Sequence, residues 1–187
     1  FVDVSCGLGF TVALDKEGDA HCFGSNESGC VPLGGITGAS LVAVSAGWFQ
    51  CIALRSDKRI QHWGNGEYVP SGIVEGEYIA VSAGFCHTLA LRSDGSVACF
   101  GSNPYNQAPA AGMPGPYVAI AAGTHHSLAL KANGEVDAWG NNDYGQCTVL
   151  AAGDAGYVGI AAGGYHSLAV RPNGDVVCFG ENNHGQA

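Results

Sequence analysis

Three histidines recur at one place in a repeating pattern. His87, His126 and His166 each stand three residues after a glycine, and a hydroxyl residue follows each of them: Thr88, Ser127 and Ser167. Imidazoles in register raise two chemistries, a shared metal ion and a His–Ser nucleophile pair. Neither suits the spacing. Zinc holds imidazole nitrogens at about 2.0–2.1 Å, and equivalent positions on successive repeats lie too far apart to share one ion. Neighbours on a strand point to opposite faces, so a His and the Ser after it do not form a dyad. A structural role remains. Other chemistry is missing too: the chain has no G-x-S-x-G elbow, no phosphate loop and no carboxylate pair placed for acid–base work. The sequence therefore reads as non-catalytic, with no cofactor and no metal.

The eight cysteines give no C-x-x-C pair. Cys22, Cys99 and Cys178 share one repeat position that His62 and Ala138 also fill. A place that accepts Cys, Ala and His reads as a small strand site, and free Cys is a common core residue.

The residues beside the histidines are more informative because they vary. After the same glycine the copies read Leu8-Gly9, Trp48-Phe49, Phe85-Cys86, Thr124-His125 and Gly164-Tyr165. A loop does not dictate these identities, yet several are large aromatics. Aromatics on rigid loops are typical interface anchors. Trp48, Phe49, Phe85, Thr124, His125 and Tyr165 are therefore candidate partner-binding residues. The opposing expectation is that some of these rings plug a central channel. The polar loop with Asn142, Asp143 and Tyr144 is expected to join the same face as a rim, together with Ser102-Asn103 and Glu181 to His184.

The elements that must position these residues follow from the repeat. The stretch Val118 to Gln146 reads VAIAAG, THHSLALK, ANGEVDAWG and NNDYGQ. Short apolar runs of strand length are parted by glycine-centred breaks. Asn133-Gly134 between two of them predicts a hairpin with a type I′ turn, which needs φ > 0 at both central residues. The glycine ending the first run falls at Gly7, Gly47, Gly84, Gly123 and Gly163, with spacings of 40, 37, 39 and 40. A second glycine, after Trp or Phe, follows 17 residues later in every copy: Gly24, Gly64, Gly101, Gly140 and Gly180. A constant inner offset with variable connectors means fixed strands and free loops. Periods near 40 with a β pattern indicate a propeller or β-solenoid.

Copy two departs most. Lys58 replaces the turn glycine, and the stretch Asn65 to Pro70 lacks the closing Gly-Gln. Its turn is expected to differ, since Lys at φ > 0 is costly, and its blade to be the least regular. The connectors PLGGITGAS and APAAGMPGP are rich in Gly and Pro and read as loops.

Composition sets outer bounds. The chain has 187 residues, 47% hydrophobic and 12% charged, with net charge −9 and pI near 5. Little charge suits sheets covered on both faces. An acidic chain argues against nucleic acid and anionic membranes as partners. No apolar run approaches the length of a membrane helix. The chain opens on Phe1 inside a repeat, which suggests a processed product or a piece of a longer protein.

AGTHHSLALKANGEVDAWGNNDYGQ, with AGGYHSLAVRPNGDVVCFGENNHGQ and AGFCHTLALRSDGSVACFGSNPYNQ, resembles the regulator of chromosome condensation (RCC1) repeat family. The resemblance runs along essentially the whole chain. It implies an all-β, RCC1-like β-propeller of four-stranded blades, usually seven, of which five copies of 37–40 residues are present, as a closed ring or an open arc. Blades are expected at 2–41, 42–78, 79–117, 118–157 and 158–187. The small first runs suit the crowded axis. The aromatics Phe23, Trp63, Phe100, Trp139 and Phe179 suit the wider periphery as inter-blade wedges. The resemblance further implies that His87, His126 and His166 bond backbone carbonyls and hold their loops. Trp63 and Trp139 are counted with them as structural. The loop set also looks like the surface with which a bacterial β-lactamase inhibitor of this fold caps its enzyme.

The function expected is a protein–protein interaction module, a scaffold or accessory subunit whose partner is another protein. Two alternatives come from the resemblance: guanine-nucleotide exchange on a small GTPase, or the substrate-recognition part of a HECT-type ubiquitin ligase. The first would need a protruding β-wedge and the second a ligase domain. Neither is in this sequence.

Overall fold

In the computed structural model the described residues are 1–67, 71–148 and 156–187, and they form sixteen strands and no helix. Copy one gives β1 (Asp3–Cys6), β2 (Phe10–Leu14) and β3 (Ala20–Gly24). Copy two gives β4 (Leu41–Ala46), β5 (Gln50–Arg55), β6 (Ile60–Gly64) and β7 (Gly72–Val74). Copy three gives β8 (Tyr78–Ala83), β9 (His87–Arg92) and β10 (Val97–Gly101). Copy four gives β11 (Tyr117–Ala122), β12 (His126–Lys131) and β13 (Val136–Gly140). Copy five gives β14 (Gly159–Ala162), β15 (His166–Val170) and β16 (Val176–Gly180). Each copy is one antiparallel sheet in chain order, the arrangement of a propeller blade.

Copy two is the exception, in the opposite sense to the one expected. Among the described residues it alone forms a four-stranded sheet. In copies one and three the fourth strand shrinks to single bridges, Ala20 with Ile36 and Val97 with Met113. The glycines and prolines of those connectors do not sustain a ladder, whereas Gly72-Ile73-Val74 does. The end of copy two at Tyr68, Val69 and Pro70 lies outside the described residues, as does 149–155.

The hairpin turn also differs from expectation. Only its last residue has positive φ: Gly18, Gly95, Gly134 and Gly174 at 83–91°, and Lys58 at 66°. In copy four Gly134 N–H donates to Lys131 O and Lys131 N–H donates to Glu135 O. That is a type I turn closed by a G1 bulge, in place of the type I′ turn. The Asn of Asn-Gly contributes through its side chain: Asn133 Oδ1 accepts from Glu135 N–H at 3.0 Å. Lys58 keeps this same turn, with Asp57 Oδ1 accepting from Arg59 N–H at 3.2 Å. A left-handed lysine is strained but does not change the turn.

Four apolar cores lie between the blades. Phe10, Val12 and Leu14 meet Val44, Ala53 and Trp63 between copies one and two. Leu89 and Leu91 meet Tyr117 and Ala129 between copies three and four. Blades thus stack face against face in chain order. The two end faces stay open: Phe23 on the first blade is 53% exposed, and Val176 on the last is exposed as well. The sheets pack in succession from copy one to copy five, with no comparable packing of the last on the first, so the described blades form an open arc.

Close approach at the axis explains the first glycine of each copy. A Cβ on Gly123 would sit 2.7 Å from Gly163 O of the next blade and would collide with the His126 ring. Gly47, Gly84 and Gly7 face the same two obstacles, a carbonyl ahead and their own blade's third residue behind.

Candidate functional site

Antiparallel pairing brings two loops of every blade to one end. Phe10 pairs with Gly24, Gln50 with Gly64, His87 with Gly101, His126 with Gly140 and His166 with Gly180. The loop after the first strand therefore lies beside the loop after the third strand. The hairpin turns sit at the other end.

Polar seams hold this end rigid. His87 and His126 are fully buried, and they do not bond the carbonyls of their own loops as expected. Each reaches forward to the next blade. His87 Nε2 meets Ser127 Oγ at 3.0 Å, and His126 Nε2 meets Ser167 Oγ at 2.8 Å. Ser127 Oγ–H donates to Gln107 O at 2.9 Å, and Ser167 Oγ–H to Gln146 O at 2.9 Å. A hydroxyl that donates to a carbonyl must accept from the imidazole, so Nε2 carries the proton. Burial holds both rings neutral, with pKa values pushed down to about 3 for His87 and about 4 for His126. The carbonyl partner falls to Gln50 instead, whose Nε2–H donates to Gly84 O at 3.0 Å and His87 O at 3.2 Å. His166 stands on the open face of the last blade and is partly exposed.

Trp139 Nε1–H donates to the same Gln107 carbonyl at 2.9 Å, and Trp63 Nε1–H to Cys30 O at 3.1 Å. The wedge role expected of these indoles is accompanied by a bond back to the preceding blade. Phe23 lies on the first described blade, where no other described blade covers it, and it is exposed. His62, at the site read as small, is buried; its Nε2 meets Thr88 Oγ1 of the next blade at 3.0 Å. The seam between copies one and two replaces the whole relay at once: Phe10 for His, Cys51 for Ser and Cys30 for Gln.

The loops after the third strands are held from within. Gln107 Oε1 accepts from Tyr105 N–H and Gln146 Oε1 from Tyr144 N–H, both at 3.0 Å. Asn142 Oδ1 accepts from Cys147 N–H at 2.7 Å, and Asp143 Oδ2 from Asn141 Nδ2–H at 2.7 Å. Asn142 and Asp143 are exposed, so they shape the loop while facing solvent.

On this frame the aromatics form one continuous row across four blades. Trp48 and Phe49 touch Phe85, with ring centroids 4.7 and 5.2 Å apart. Phe85 leads to His125 at 5.4 Å, and His125 to Tyr105 at 5.1 Å and to Tyr165 at 6.3 Å. Tyr165 ends on Tyr144 at 5.4 Å. Trp48, Tyr105, Tyr144 and Tyr165 are 44%, 47%, 50% and 37% exposed. Phe49, Phe85 and His125 are half-buried, and burial lowers the His125 pKa. The row skirts an axial hollow of about 290 Å³ lined by Trp48, Phe85, Thr124 and the strand-end glycines. Thr124 stands apart from the other candidates, being only 8% exposed.

Tyr105 was not among the candidates read from the sequence. The signal was there: it lies four residues after its blade's second glycine, as Tyr144 and His184 do.

A family profile described as "Regulator of chromosome condensation (RCC1) repeat" matches residues 1–30, 78–107, 117–146 and 157–186. Copy two, the divergent copy, is not among the matched stretches. The serine/threonine-protein kinase Nek9 of Xenopus laevis is 32% identical over 84 residues, 37% of this chain and 9% of that protein. The ectodomain of the Physcomitrella patens receptor kinase CR4 superposes with a TM-score of 0.82 at 27% identity, over 95% of this chain and 52% of that one. Prp20p of Saccharomyces cerevisiae, characterised for binding Gsp1p and histones, superposes at 0.78 with 22% identity, over 96% of this chain and 57% of that one. The chain thus spans under a tenth of Nek9 and little more than half of the other two.

Proposed function

Because this chain belongs to the RCC1 repeat family, we propose that it is a non-catalytic protein-binding module that uses the aromatic end of its blades. One observation carries the reading: the row from Trp48 to Tyr144 is continuous, partly exposed and built on loops that the seams hold rigid. Rigid, half-exposed rings lose little entropy on binding and supply large contact areas. The scaffold or accessory-subunit role is the finer form of this reading. Family relatives offer a general precedent, since Prp20p binds other proteins.

The test compares the wild-type chain with W48A/Y165A, and with E75Q/E77Q at the opposite end, by quantitative affinity mass spectrometry. A partner lost by the first variant and kept by the second supports the reading, provided the melting temperature of the first stays within about 2 °C of wild type. A fall of more than about 5 °C would mean that the rings serve the core, and the proposal would be wrong.

A further inference from the structure

The cationic side chains stand at only one end of the blades, the end with the hairpin turns. All seven Lys and Arg residues, from Lys16 and Arg55 to Lys131 and Arg171, stand in or beside the hairpin turns. There they meet carboxylates: Arg59 meets Asp57 and Glu75, Lys58 meets Glu77, and Lys131 meets Asp137. The aromatic end has no Lys or Arg at all. It does carry acids at one register position, since Glu27, Glu67 and Asp143 each lie three residues after the glycine ending the third strand. All of them are exposed.

One place brings the two features into contact. Glu27 shares a hollow of about 270 Å³ with Leu8, Ser25, Ser28, Trp48 and Phe49. An indole face, a phenyl ring and a carboxylate around one hollow suit a guanidinium or ammonium on an aliphatic stem. Along the rest of the row, Tyr105, Tyr144 and Tyr165 offer further ring faces with no cation beside them to compete. An acidic partner would meet only like charge here, and a purely apolar one would bury the rim carboxylates unpaired.

We infer that the aromatic row seats a Lys- or Arg-bearing segment of a partner protein, with one cationic side chain in the Glu27–Trp48–Phe49 hollow. The inference rests on the proposed binding role of this end and adds the chemistry of its partner.

Fluorescence anisotropy with labelled ten-residue peptides tests it on the intact chain. One peptide alternates Arg and Gly, a second has Gln for every Arg, and a third has Glu. The Arg peptide is expected to bind at least about ten-fold more tightly than the Gln peptide, and to weaken several-fold as salt rises from roughly 50 to 300 mM. Glu27→Gln should weaken the Arg peptide about three- to ten-fold and leave the Gln peptide unchanged. E75Q/E77Q, at the opposite end, should change neither. Equal binding of the Arg and Gln peptides, abolished in W48A/Y165A, would overturn the inference while leaving the binding end in place. Loss in E75Q/E77Q as large as in Glu27→Gln would overturn both. No binding of any peptide would overturn the inference, and the partner comparison above would then judge the binding end alone.

Discussion

Ser127→Ala should cost more stability than His87→Phe, and making both changes should cost less than Ser127→Ala alone. Ser127 Oγ accepts from His87 Nε2–H and donates to Gln107 O, and all of this is buried. Removing the hydroxyl orphans the imidazole N–H in a buried site, which costs about 1–3 kcal/mol, and loses one hydrogen bond worth about 1 kcal/mol. Gln107 O keeps its bond from Trp139 Nε1–H. His87→Phe is milder. The Ser127 hydroxyl still donates to Gln107 O, and Phe10 shows that the register accepts a phenyl ring while staying 5% exposed. Its cost should be near one net hydrogen bond, about 1 kcal/mol. In the double variant no N–H is orphaned, so about 1–2 kcal/mol is expected in place of the sum of roughly 3–5. Urea unfolding of the four proteins, followed by circular dichroism, measures the coupling. Additivity within about 0.5 kcal/mol would refute the relay as the element that joins these blades.

Acid should loosen the arc. Burial pushes the pKa values of His62, His87 and His126 down to about 4, about 3 and about 4. In the unfolded chain each titrates near ~6.5. From about pH 6.5 down to about 4 the unfolded state binds more protons, so stability falls as pH falls, by up to about 4 kcal/mol per pH unit for all of them. Urea midpoints between pH 7.5 and 5 check this, and a flat profile would show that the rings are not buried neutral. Gly123→Ala should destabilise by about 2–4 kcal/mol, because its Cβ has no room between the His126 ring and Gly163 O; thermal unfolding reads this directly. Lys58→Gly should raise stability by about 0.5–1 kcal/mol, since relief of the left-handed lysine outweighs its exposed ion pair with Glu77; a lowered urea midpoint would contradict that.

The blades were legible because strand spacing and axial crowding act on every copy alike. Gly7 to Gly163 mark the axis, and the aromatic-Gly pairs mark the third strands. The turn type was misread for a physical reason: Asn-Gly serves both a type I′ turn and a type I turn with a bulge, and only the φ of Asn133 separates them. The regularity of copy two was misjudged from Lys58, because one strained residue costs less than the ladder around it returns. The histidines were placed correctly in register, but their partners lie about forty residues on, beyond what local pattern reading can see. The aromatic residues were legible as exceptions to loop chemistry. Their continuity was not, because it arises from the angle between blades. Tyr105 would have been found by aligning the loops on their second glycine.

The relay has a direction. Copies three and four each face the next blade with an imidazole N–H and a Gln carbonyl, and the first three copies with a Ser hydroxyl that accepts from the next strand, as Ser82 Oγ does from Ala122 N–H at 3.0 Å. The rear faces of copies four and five present the complementary Ser hydroxyl. The open faces at the two ends of the arc are therefore unlike surfaces. A contact that continues this relay sets a forward face on a rear face and is therefore heterologous, repeating the blade-to-blade junction rather than mirroring it.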